Sequence, residues 1–190
     1  MFFLKSPLLR KFLLLLTLGW GIATFAVVNI SSPYLIILLL VISLPAVVFI
    51  FTESSPLYLL ILLSFTSSYA SYVFLFQYSL PVWLVMIAIL VIFGFLFFYI
   101  EQKIGILGNR RLIYLVLFSL IQLEVFLILS YFLIDPVSLS LIIASMSYLF
   151  LGFCYTILAK HEDKSFVTYL VFALVIISAV FLFSQWGGLV

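Results

Sequence analysis

Cysteine, histidine and charge are what this chain has least of. A single cysteine, Cys154, leaves no partner for an intrachain disulfide. A single histidine, His161, excludes any metal or catalytic centre built on two. Eight basic and six acidic residues among 190 make the chain 7% charged, with a net charge of +2. That charge is too small and too scattered to hold a nucleic acid. No H-E-x-x-H, G-x-S-x-G or C-x-x-C occurs, and no two acids lie close together inside an apolar run. Hydrolytic and redox chemistry therefore lack the constellation they need, and no cofactor or metal is expected. No apolar run carries a lysine, which excludes a retinal Schiff base.

Apolar residues fill the space left by these absences. They make up 68% of the sequence, and the mean hydropathy is +1.49. Soluble domains are about half apolar and a quarter charged, so the chain belongs to the membrane class. A spanning helix needs about 20 apolar residues. Seven runs qualify, at 12–30, 34–52, 57–78, 82–100, 112–134, 138–159 and 166–186. "SSP", "ESSP", "SLP" and "DP" separate several of them, with proline at or near the first helical turn, where its missing N–H costs nothing. Ser32, Ser55 and Asp135 precede those prolines and are expected to act as N-caps. The expected fold is an all-α bundle of seven transmembrane helices, forming one domain over 1–190.

Basic residues set the expected orientation. With seven spans, Lys5, Arg10, Lys11, Lys103, Arg110, Arg111, Lys160 and Lys164 all fall on one side, and six or eight spans would break that segregation. Basic loops stay cytoplasmic, so the N-terminus is placed inside and the C-terminus outside, most simply in the plasma membrane. Trp83 and Trp186 then lie at the outer boundary, with Tyr58, Tyr99, Tyr114, Tyr155 and Tyr169 toward the inner one. The first run resembles a signal sequence, with "GIA" at 21–23, but it continues apolar to Val28 and reads as an uncleaved anchor. Lys103, Arg110 and Arg111 form a basic elbow between the fourth and fifth spans, suited to anionic headgroups. His161, Glu162 and Asp163 are consecutive on a short loop and cannot converge on one ion, so that loop reads as a solvated turn.

Lipid is as apolar as leucine, so small and polar residues mark the inward faces. Ser64, Ser67, Ser68 and Ser71 share one face of the third span; Ser138, Ser145, Tyr148 and Gly152 share one face of the sixth. The fourth has almost no polar group and is expected to face lipid. Pro45 is expected to kink the second span and free backbone carbonyls near the midplane.

Glu124, in "LIQLEVFLIL", is the one ionisable residue deep within a span. A charge there costs several kcal/mol, so the acid is expected to be uncharged and hydrogen-bonded inside the bundle. Tyr148 is the expected partner, with Ser67 or Ser68 as alternatives; Tyr131 shares its face one heptad on, and Gln122 points nearly opposite. Two functions compete. The first is a non-enzymatic membrane subunit, assembly or scaffold factor, whose partners are the bilayer and another membrane protein. The second is a small transporter of a proton, lipid or apolar solute that uses Glu124. An intramembrane enzyme is a distant third.

Overall fold

A computed structural model describes residues 6–104, 111–132, 134–153 and 165–184. These residues form seven helices: α1 (Pro7–Val28), α2 (Pro33–Thr52), α3 (Pro56–Phe76), α4 (Val82–Ile104), α5 (Arg111–Ser130), α6 (Pro136–Phe153) and α7 (Ser165–Phe183). Six are long and apolar enough to cross a membrane, and the apolar stretch of α7, Val167–Leu182, is shorter. The chain is thus a membrane-embedded helical bundle. Proline opens α1, α2, α3 and α6, as its fixed φ favours.

The caps divide by chemistry. Asp135 accepts the Ser138 N–H at 2.9 Å and closes the start of α6. Ser32 and Ser55 make no side-chain cap bond, contrary to expectation. Only Glu53–Ser55 join α2 to α3, and Glu53 and Ser55 turn the chain in the left-handed region, at φ 55° and 50°. Ser55 is spent on the turn rather than on capping.

Helix α3 is the hub. It packs against α1, α2, α4 and α6, while α7 rests on α6. About 72% of its apolar window is buried, against 33% for α5. At Gly21 the backbones of α1 and α3 come so close that a Cβ would lie 2.5 Å from the Thr66 Cβ. The α6–α7 seam is equally tight, because a Cβ on Gly152 would sit 2.3 Å from the Tyr169 ring. Small residues do set these approaches.

Helix α4 overturns an expectation. It packs on both α3 and α5 and buries Val85, Ile89, Phe93, Leu96 and Phe97. Phe97 stacks on Phe118 at 4.8 Å, and Phe118 in turn meets Phe150 at 4.6 Å. Polarity is not required for a place inside: large rings fill interhelical space and gain dispersion energy that lipid tails do not match. Beyond the first turn of α4, the exposed side chains Ile87 and Val91 share one side. Helix α2 continues through Pro45, which lies on its exposed side, and the Tyr58 hydroxyl donates to the nearby Ile42 carbonyl.

Candidate functional site

Among the described residues, most hydroxyls that donate a hydrogen bond donate within their own helix. Ser68 and Ser71 donate to the carbonyls of Ser64 and Ser67, at 2.6 and 2.9 Å. Ser119, Ser145 and Ser147 do the same one turn back. A serine hydroxyl is short, so within a helix the i−4 carbonyl is its nearest acceptor. Tyrosine and asparagine make the crossings: Asn29 donates to the Tyr69 hydroxyl at 3.0 Å, and Tyr72 donates to the Phe126 carbonyl at 3.1 Å while its ring stacks on Phe126.

Glu124 is not inside. Its residue is exposed on the outer face of α5, in line with Leu120, Ile128 and the 87% exposed Tyr131. The proposed partner points elsewhere: the Tyr148 ring packs on Tyr169 at 4.6 Å and on Phe172. Ser67 and Ser68 are buried in α3. The structure therefore does not assemble Glu124, Tyr148, Ser67 and Ser68 into one site. The α5 helix also ends at Ser130 rather than 134, which puts Glu124 about 9 Å from its end at 1.5 Å per residue. That is about 5 Å past the middle of α5, and a glutamate side chain does not span the distance to the helix end.

The larger of the two polar side chains that α5 buries is Gln122, 1% exposed, beside Ser119 at 5%. Neither its amide oxygen nor its nitrogen has a hydrogen-bond partner among the described residues, and the Ser64 and Ser67 hydroxyls are equally unanswered as donors. Gln122 precedes Phe126 by one turn and Ser68 precedes Tyr72 by one turn, so the Tyr72–Phe126 bond places them at one depth. Gln122 stands nearly opposite Glu124 on α5, and the cost of a charge in lipid singles out Glu124 first. The signal that could have found it was Ser119, one turn away on the same face, because two polar residues on one face outvote one.

A second polar group gathers at one end. Arg10 on α1 donates through Nη1 to the Gln102 amide oxygen on α4. Lys11 donates to the Phe51 carbonyl at 2.9 Å and lies 3.8 Å from Glu53. Glu101 is buried nearby in sequence on α4, at 7% exposure. Of the basic elbow, Lys103 falls on the last turn of α4 and Arg111 opens α5, whereas Arg110 and the 161–163 loop lie outside the described residues.

Two apolar hollows lie beside α4. One, of about 510 Å³, is walled by Leu13, Leu16 and Thr17 of α1 and by Val91, Gly94 and Phe98 of α4. The other, of about 240 Å³, is lined by Trp20, Phe74, Leu84 and Ala88. Glu124 lines neither of them. Comparison with protein-family models, with curated proteins and with solved structures found no match, so the reading of this bundle rests on its own geometry.

Proposed function

We propose that the protein is a non-enzymatic subunit of a larger membrane assembly, docking through the outer face of α5. One observation carries this reading: an exposed acid, Glu124, in the middle of the apolar stripe Val116, Leu120, Ile128. Facing lipid, that group carries a cost of several kcal/mol, which makes uncovered acids in spans rare. A neighbouring membrane helix that offers a hydrogen-bond donor or a cation removes the cost. The partner is thus a transmembrane helix with an apolar face and one lysine, arginine or amide level with Glu124. The plasma membrane and the cytoplasmic N-terminus belong to the same reading, supported by the one-sided basic residues. Supporting it further, Arg10 and Lys11 of α1 meet the ends of α4 and α2.

A transport reading keeps one specific support, the buried Gln122 amide with no hydrogen-bond partner among the described residues. In that reading the polar path uses Gln122 rather than Glu124. Substituting Gln122→Leu would then fold and abolish flux, while a subunit would keep its assembly.

The test places a photo-crosslinking residue at Leu120 or Ile128, with Val41 on the exposed side of α2 as control. Crosslinks to a membrane protein are expected from the α5 positions and not from Val41. Glu124→Gln keeps a hydrogen-bonding side chain and should weaken the assembly in mild detergent less than Glu124→Lys does. Glu124→Lys should cost about 3–5 kcal/mol and disperse it, because an unmatched buried charge replaces a matched one. An assembly indifferent to Glu124→Lys would overturn the proposal.

A further inference from the structure

The larger hollow beside α4 has a shape and a mouth that call for a particular occupant. Its α4 wall runs from Val91 to Phe98, about 10 Å at the helical rise. A volume of about 510 Å³ between apolar walls suits a flexible hydrocarbon chain. The second hollow follows one turn further on, past Thr17 toward Trp20 and past Val91 toward Ala88. Along α4 the two hollows, which share no lining residue, fall between Phe98 and Leu84, a rise of about 21 Å set against a leaflet about 15 Å deep.

The mouth is charged. Arg10 precedes Leu13 by one turn of α1, and Gln102 follows Phe98 by one turn of α4, so their hydrogen bond bridges the same end of the hollow. Arg10 finds only this neutral amide: no carboxylate lies within ion-pair distance of it among the described residues, and its Nε is buried without a partner. A guanidinium held by a neutral amide at the top of an apolar slot, with Glu53 and Glu101 at the same end but outside ion-pair distance, matches a phosphodiester over an acyl tail. Its planar fork of donors suits phosphate oxygens, and basic groups between helices on the cytoplasmic side take anionic headgroups.

We infer that the cleft between α1 and α4 is a binding site for one anionic phospholipid, its tail against Gly94 and Thr17 and its phosphate at Arg10. The site is separate from the Glu124 face and does not depend on it. The full chain, purified in mild detergent, would be titrated with phosphatidylglycerol and with phosphatidylcholine of identical tails, and the retained lipid read by native mass spectrometry. Phosphatidylglycerol should be retained preferentially. Arg10→Gln should cut that preference about fivefold, the worth of one basic side chain at a lipid surface, and leave phosphatidylcholine unchanged. Val91→Trp, on the exposed wall and remote from the mouth, should displace both lipids, whereas Val41→Trp on α2 should displace neither. Arg10→Lys keeps the charge and should keep most of the preference, which separates recognition from a folding defect at Arg10. Equal retention of the two lipids by the wild type would overturn the inference. So would displacement of phosphatidylglycerol by millimolar inorganic phosphate, which would indicate a free-anion site. Identical behaviour of Val91→Trp and Val41→Trp would likewise remove the cleft as the binding place.

Discussion

At the scale of single residues, side-chain length decides which polar groups hold the bundle together. Serine cannot reach past its own backbone, so Ser68 and Ser71 are satisfied one turn back and contribute little between helices. Tyr72 spans the gap to the Phe126 carbonyl and stacks as it does so. Tyr72→Phe should therefore cost about 0.6 kcal/mol and at most about 1.7, the average and the maximum for hydrogen bonds between membrane helices. Ser68→Ala should be nearly silent. Reversible unfolding in mixed micelles checks both, and a Ser68→Ala loss as large as that of Tyr72→Phe would refute the distinction. The same length argument explains Glu124. Its carboxyl can neither fold back to the α5 backbone nor reach the helix end, so position alone decides its surroundings.

At the scale of elements, glycines matter where another backbone meets them and nowhere else. Gly21 and Gly19 lie two residues apart on α1, yet a Cβ on Gly21 would strike Thr66 backbone atoms at 2.9 Å while one on Gly19 meets nothing within 4 Å. Gly21→Leu should thus destabilise the isolated chain by about 1–3 kcal/mol or more through overpacking. Gly152→Leu should do the same against Tyr169. Gly19→Leu should leave the stability of the chain alone unchanged. Thermal unfolding of the three variants in one detergent is the measurement, and equal losses at Gly19 and Gly21 would contradict the α1–α3 seam. Helix α4 carries the opposite lesson. It lacks polar residues, but Phe93 and Phe97 bury it more deeply than α5, which has both Gln122 and Glu124.

At the scale of the whole molecule, α1 begins where α2 and α4 end, because Arg10 reaches Gln102 and Lys11 reaches Phe51. At the far end of α1, Asn29 meets Tyr69 of α3. The orientation expected from the basic residues gives these two ends different labelling behaviour. On a Cys154→Ala background, cysteine at Ser31 or Ser79 should react in intact cells with a maleimide that cannot cross the membrane. Cysteine at Ser54 should react only after the membrane is opened. Those three positions are exposed, so a failure to react reports sidedness rather than burial. Labelling of Ser54 from outside would reverse the assignment.

Helix existence was legible in the sequence because it depends on local terms: long apolar runs, prolines at their starts and polar joints between them. The seam at Gly152 was legible in outline for the same reason, since a small side chain is visible wherever it stands. Which face of a helix turns inward was not legible for α4 and α5. In a medium as apolar as the side chains themselves, hydrophobicity exerts no pull toward the interior. Shape then decides, and shape is a property of neighbours: Phe97 needs Phe118 and Phe150, which come from two other helices. Glu124 was recognised as costly from the sequence alone, because the bilayer sets that cost. That the cost falls on an outer face rather than in the core was decided by tertiary packing, which rotates α5 to bury Gln122 and Phe126.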